Sequence, residues 1–189
     1  MKDLKSALLM LLVFTVICGG IYPAVVTGIA QVVFPHQANG SLVTDRSGKI
    51  IGSSLIGQPF SDPNYLWHRP SATGDFGYNP LASGGSNSGP TNPDFIKTVS
   101  NRVTALREAG MSGNVPSDLV LASASGLDPH ISPEAAKAQI PRIARNRGMT
   151  EEEVRKVVTR HTEERQFGIL GEPRVNVLAV NVELATLTP

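Results

Sequence analysis

The hydrophobic and polar positions divide the chain into two parts. The stretch Ser6–Phe34 contains no charged side chain and is dominated by Leu, Val, Ile, Ala and Met. At about 1.5 Å of rise per residue, a helix of this length reaches roughly 43 Å, against a bilayer hydrocarbon core of about 30 Å. Gly19, Gly20 and Pro23 would interrupt a soluble helix but are tolerated in membrane spans. The pattern predicts one transmembrane anchor, residues 1–35.

A cleaved signal sequence is the alternative to an anchor. The residues Gly28-Ile29-Ala30 have the small-x-small pattern of a cleavage site. However, the apolar stretch before them is longer than the about 7–15 residues of a typical signal sequence. A lipoprotein signal does not fit either, because Ile17 precedes Cys18 and the apolar run continues beyond it. The anchor is the better interpretation.

The orientation of the anchor follows from the basic residues at its ends. Lys2 and Lys5 precede the apolar stretch, whereas the first basic residues after it are Arg46 and Lys49. Basic residues close to a span remain on the cytoplasmic side. We therefore expect a cytoplasmic N-terminus and an extracytoplasmic domain, in a single-pass membrane protein.

Residues 36–189 combine short period-two segments with helical segments. Turn residues 45–48 separate two apolar segments and predict a β-hairpin. The predicted strands are Ser41–Thr44, Lys49–Gly52, the short segment Tyr65–Trp67, Asp118–Ala122 and a long final strand Val175–Leu187.

Helix signals are strong in the second half of the chain. Asn92, Ser132 and Thr150 each precede a helical pattern as an N-cap residue. The first predicted helix carries an apolar stripe formed by Ile96, Val99, Val103 and Leu106. The second is interrupted by Pro141, and the third ends at Gly168. The prediction is one α+β domain with a small, mostly antiparallel sheet and about three helices.

Composition excludes several functions. The net charge of +1 offers no electrostatic footprint for nucleic acid. The only cysteine, Cys18, lies in the apolar stretch, so the outer domain contains neither a disulfide nor a thiolate site. A single charge-free helix also supplies no ion pathway of its own.

The sequence gives little support for a catalytic or metal site. Ser125, Asp128 and His130 are the residue types of a hydrolase, but triad members meet through the fold and these residues are equally typical of a turn. The pairs Asp128/His130 and His161/Glu164 each offer two metal ligands, whereas a catalytic zinc site needs three. We therefore predict no catalytic residue and no metal ligand.

A Gly/Pro-rich segment, residues 77–93, separates the two halves of the domain. It contains Ser83-Gly84-Gly85-Ser86 but lacks the lysine of a phosphate-binding loop, so the nucleotide signal is weak. A flexible linker is the alternative interpretation. Because Phe76, Tyr78 and Leu81 resemble packing anchors, we favour an ordered, functional loop.

Several motifs resemble one family over the whole chain. They are residues 77–93, Asp118–Ser132, His161-Thr162-Glu163 and the run Gly168–Leu178. Together they resemble the C subunit of the Kdp potassium-transporting ATPase. The resemblance implies a non-catalytic subunit of a high-affinity, ATP-driven potassium uptake complex, needed for assembly and acting as a catalytic chaperone that raises the ATP affinity of the ATPase subunit.

The resemblance also implies partners: a channel-like potassium-binding subunit, a P-type ATPase subunit, a small membrane subunit and the lipid bilayer. No cofactor is expected to bind firmly, and ATP would enter only through a ternary complex with the ATPase subunit. The orientation of the anchor separates the loop from cytoplasmic ATP, which favours an allosteric effect. The residues that we expect to form the interface with the channel-like subunit are Tyr78, Asn79, Ser83, Gly84, Gly85, Ser86, Asn87, Asp128 and His130.

Overall fold

The computed structural model describes residues 2–187 and separates into two compact units, Met1–Leu42 and Val43–Pro189. The first unit contains the apolar helix. The second contains the antiparallel sheets and the remaining helices, so the predicted α+β class is confirmed.

The N-terminal unit contains a helical stretch, Lys2–Val33, with a mean hydropathy of 2.3, long and apolar enough to cross a membrane. It consists of α1 (Lys2–Val16), a π-helical segment (Ile17–Ile21) and α2 (Tyr22–Val33), and the short helix α3 (Pro35–Ala38) follows. Pro23 has no N–H to donate to Gly19 O, four residues earlier. The N–H of the preceding residue, Tyr22, bonds to Ile17 O, five residues earlier, as in a π-helix. The wider π turn thus accommodates the proline.

The second unit consists of short strands and helices. A hairpin comes first, as predicted, and the Asp45 carboxylate closes its turn by accepting from Ser47 N at 2.8 Å and Lys49 N at 3.0 Å. The elements are β1 (Leu42–Thr44), β2 (Ile50–Ser53), α4 (Pro93–Glu108), β3 (His130–Ile131), α5 (Pro133–Arg147), α6 (Glu151–Arg160), β4 (Thr162–Glu163), β5 (Arg174–Asn176) and α7 (Val177–Thr186).

The core lies between a three-stranded antiparallel sheet and the helices α5, α6 and α7. The strand order is β3-β5-β4, and Val175 in the central strand pairs with both Ile131 and Thr162. The fully buried side chains are mainly aliphatic and include Ile140, Ile143, Val154, Val157, Leu178 and Leu184.

The segment Tyr65–Trp67 is irregular and is not part of a sheet, which corrects the predicted strand. Its backbone bonds to side chains instead: Asn181 bonds both Leu66 N and Leu66 O, at 2.8 and 2.9 Å. Gln139 bonds Trp67 N and Trp67 O in the same way, at 2.8 and 3.1 Å. These two buried amides satisfy the backbone as a neighbouring strand would.

The predicted final strand Val175–Leu187 is wrong beyond Asn176. The Asn176 side chain accepts from Ala179 N at 3.0 Å and caps α7. The buried positions of α7 (Val177, Leu178, Val180, Asn181 and Leu184) have helical spacing, so Asn181 belongs to the buried face.

Three further expectations also need correction. Asp118–Ala122 is not a strand, because a 3-10 turn (Ser117–Leu119) buries Leu119 and Val120. Helix α5 continues through Pro141, which removes a donor only from the carbonyl of the exposed Lys137. Helix α6 ends at Arg160 rather than at Gly168, because the chain then enters β4.

The predicted stripe on α4 is partly correct. Leu106 is buried, and Val99 and Val103 pack against the core. Ile96 is 54% exposed, so the first turn of α4 does not reach the core.

Candidate functional site: an ordered loop on a buried turn

The Gly/Pro loop lies ordered against the turn before β3. Gly84 N and Ser83 Oγ both donate to Ser125 O, at 2.9 and 3.0 Å. Gly126 has a φ of +67°, and a Cβ on it would lie 2.5 Å from Thr73 Cγ2 and 2.8 Å from Gly84 O. Only glycine fits where the loop crosses the turn. Gly85 is also half-buried on this turn.

Two hydroxyl groups hold the beginning of the loop. Ser71 Oγ accepts from Tyr78 N at 2.9 Å, and Thr73 Oγ1 accepts from Asn79 N at 3.1 Å. The Tyr78 hydroxyl donates to Arg69 O, and Asn79, only 5% exposed, caps a short 3-10 helix (Pro80–Ala82). Of the predicted interface residues, Tyr78 and Asn79 therefore support the loop from within.

The outer edge of the loop is formed by exposed side chains. Ser83, Ser86 and Asn87 are exposed, and Asn87 adopts a positive φ of 51°, which asparagine tolerates better than most residues. Leu81 is 95% exposed and Phe76 is 61% exposed, so neither is the packing anchor that the sequence suggested. Leu81 is the most exposed apolar side chain of the loop and was not among the predicted interface residues.

Asp128 and His130 lie beside the loop, at the end of the same turn. Asp128 pairs with Arg69 Nη1 at 3.1 Å and accepts from His130 N at 3.0 Å. Burial opposes ionisation of the Asp128 carboxyl, but the polar contacts with His130 and the Arg69 charge outweigh it and lower its pKa. The carboxylate is thus ionised and committed to neighbours that fix the turn.

A buried histidine that sequence reasoning missed lies under the loop. His68 stacks on Phe60, with ring centroids 5.7 Å apart, and contacts Tyr78 at 5.6 Å. Burial lowers the pKa of His68 to about 4, opposed by the Asp128 charge and reinforced by His130. His68 is therefore neutral at neutral pH. The sequence gives no local pattern that indicates the burial of His68, so sequence analysis does not single it out.

An open cleft of about 750 Å³ borders the turn. Beside His130, its lining contains charged side chains of both signs: Arg69, Asp118, Asp128, Glu134, Glu172 and Arg174. Over residues 2–187, no group of three His, Cys, Asp or Glu side chains is arranged to hold a metal ion.

The residues of the alternative chemistries have other partners. Ser125 Oγ accepts from Leu127 N at 3.1 Å, as a turn-forming serine does. His161 Nε2 lies 2.7 Å from Glu183 Oε2, so its acidic partner is in α7 rather than Glu164. The arrangement at the turn is suited to holding a surface loop in one conformation.

Comparison with known proteins identifies the family. The family model described as K+-transporting ATPase, c chain, matches residues 4–186. The chain belongs to this KdpC family. Curated relatives named "Potassium-transporting ATPase KdpC subunit" are 70% identical in Geobacter metallireducens and 66% identical in Geobacter sulfurreducens, over 189 residues and the full length of both chains. A relative of the same name in Sorangium cellulosum is 56% identical over 97% of each chain.

The KdpC match confirms the resemblance carried by the loop and turn motifs. The matched region includes the N-terminal helix, the Gly/Pro loop and the β4–β5 region. The chain is thus a member of a family of potassium-transporting ATPase subunits.

Proposed function

We propose that this chain is a non-catalytic subunit of an ATP-driven potassium uptake complex, in which it stabilises the assembly and raises the ATP affinity of the P-type ATPase subunit. Membership of the KdpC family and the helical stretch Lys2–Val33, which is long and apolar enough to cross a membrane, support this role. In this proposal the helix spans the inner membrane with Lys2 and Lys5 on the cytoplasmic side, and the domain is extracytoplasmic.

One observation carries the proposal: the loop is fixed internally while its outer edge is left exposed. The bonds of Ser83 and Gly84 to Ser125 O fix the backbone, and Leu81, Ser86 and Asn87 are turned outwards. An ordered loop with exposed side chains pays little entropy when it docks. We assign this edge, together with the Asp128–His130 turn, to the contact with the channel-like subunit.

Direct binding of ATP by the loop is disfavoured by its hydrogen bonds. A phosphate-binding loop directs free backbone N–H groups at its ligand, whereas Gly84 N already donates to Ser125 O. The effect on ATP affinity is therefore allosteric in this proposal. Such coupling is typically worth about 1–3 kcal/mol, or about 5- to 150-fold in affinity.

The test uses Leu81→Ser in the complete complex, because the 95% exposed Leu81 can be changed without affecting the core. We expect less intact complex on native gels and an apparent ATP affinity at least fivefold weaker, the lower end of such coupling. Leu55→Ser is the matched control, since Leu55 is 60% exposed but lies outside the loop. If Leu81→Ser behaves like Leu55→Ser in both assays, the loop has no docking role.

The topology has a separate test. A reporter that is active only in the cytoplasm, fused after residue 187, is expected to be silent, and the same reporter placed before Lys2 is expected to be active. The reverse pattern would refute the orientation.

A further inference from the structure

The connection between β4 and β5 is a hairpin with an exposed apolar tip. Gln166 and Leu170 exchange both backbone hydrogen bonds, each at 2.9 Å, so the hairpin is closed by its own backbone. Phe167 at the tip is 91% exposed and Ile169 is 76% exposed. We call residues 166–170 the apolar tip.

Phe167 also has a costly backbone conformation. Its φ is +54°, in the left-handed region that a bulky side chain rarely adopts. Glycine or asparagine would occupy this position with less strain. Because the ring is almost fully exposed, the strain is not offset by packing within the described residues. Strained residues of this kind cluster at functional sites such as ligand clamps and switch regions.

The two basic side chains around the apolar tip are each paired with an acidic one, and Glu164 adds a further acidic group. Arg165 bonds Glu172 at 2.5 Å, and Arg174 bonds Glu163 at 2.7 Å across the strands. A surface that binds anionic lipid headgroups presents unpaired basic residues around its apolar side chains. An apolar centre within a polar rim is instead the usual composition of a protein–protein interface.

The size of the patch indicates what kind of interface it forms. A phenylalanine buries about 150–250 Å², so the tip as a whole offers roughly half of the about 800 Å² per partner of a stable interface. That area is too small to hold two copies of this chain together. It suits an additional contact in an assembly that is held together elsewhere.

We propose that the apolar tip inserts into an uncharged, apolar pocket on another protein subunit of the complex, with Phe167 as the anchor residue. This inference rests on the proposed function only in that the chain lies in a multi-subunit assembly. It involves a surface distinct from the Gly/Pro loop.

The first experiment is photo-crosslinking in the purified complex. A photo-activatable phenylalanine analogue replaces Phe167 in the full-length chain, and the same analogue at Ile96, which is 54% exposed on α4, is the control. We expect an adduct between position 167 and a different subunit of the complex, mapping to an apolar segment, and no such adduct from position 96. An adduct with lipid, an adduct with a second copy of this chain, or no adduct would overturn the proposal.

The second experiment uses Phe167→Asn, which removes the ring and relieves the backbone strain. We expect the urea midpoint of the purified full-length chain to be unchanged or higher, while recovery of the intact complex falls at least threefold. Ile96→Asn is the control and should leave recovery unchanged. If Phe167→Asn and Ile96→Asn give the same recovery, the apolar tip is not an interface.

The two proposals fail separately. If Leu81→Ser leaves the apparent ATP affinity unchanged, only the proposal for the loop fails. The adduct at position 167 and the recovery of the Phe167→Asn complex are measured without ATP and test only the apolar tip.

Discussion

Lowering the pH should destabilise the outer domain through His68. In the folded domain this ring lies between Phe60 and Tyr78, is 7% exposed, and has a pKa of about 4 instead of 6.5. The unfolded chain therefore binds a proton on this side chain at a pH where the folded chain does not. Stability is complete above pH 6.5 and falls as the pH decreases from 6.5 to about 4.

The magnitude follows from the size of the shift. Each pKa unit is worth about 1.4 kcal/mol, so the complete loss is about 3 kcal/mol, and at pH 5 it has reached about 2 kcal/mol. Carboxyl groups with a lowered pKa, such as Asp128 and Glu153, lose their contribution only as the pH falls through and below their ordinary values of 3.8 and 4.5. Comparing pH 7.5 with pH 5 therefore isolates most of the histidine effect.

The assay is urea unfolding of the detergent-solubilised chain, monitored by fluorescence. The single tryptophan, Trp67, lies beneath the Arg142 guanidinium at 3.8 Å and reports on the outer domain alone. The free energy of unfolding should fall by about 2 kcal/mol between pH 7.5 and pH 5. His68→Phe, or His68→Leu if the larger ring is not accommodated, should remove most of this fall. An equal fall in the wild type and in both variants would refute the reasoning.

Three further changes test how the domain is held together, each measured by the same urea unfolding. Arg142→Met removes the donors to Pro63 O (2.6 Å) and Tyr65 O (2.9 Å) and should cost about 3–5 kcal/mol, whereas a cost below about 1 kcal/mol would contradict this role. Gly126→Ala should cost clearly more than Gly148→Ala, because the φ values are similar (+67° and +66°) but only Gly126 lacks room for a Cβ. Thr150→Ala removes the capping box of α6 and should lower the free energy of unfolding by about 0.5–2 kcal/mol. An unchanged free energy of unfolding would show that the capping box does not stabilise the domain.

The fold was predictable where local chemistry decides and was not where distant contacts decide. The caps Asn92, Ser132 and Thr150 all lie where the sequence indicated. The segment that follows β5 reads as a strand because Val and Leu dominate it. The segment is helical instead, and Asn181 on its buried face bonds the backbone of Leu66, more than a hundred residues earlier in the chain. A local pattern contains no signal for such a partner.

The candidate site follows the same division. Glycines and serines in the loop indicated an ordered turn, and Gly84 and Ser83 do bond the turn at Ser125. Which side chains face inwards depends on tertiary packing, so the sequence does not show that Tyr78 supports the loop from within. For the same reason the sequence predicts a packing anchor at Leu81, which faces outwards.

Both surfaces that we assign to interfaces present apolar side chains from a backbone that is already fixed. The loop carries Leu81 on a backbone held by the turn, and the apolar tip carries Phe167 on a hairpin closed by Gln166 and Leu170. Ordering a side chain on binding costs about 0.5–1.5 kcal/mol, and a mobile loop adds to this cost. For the two interfaces as proposed, fixing these segments in the unbound state reduces this cost and so favours binding.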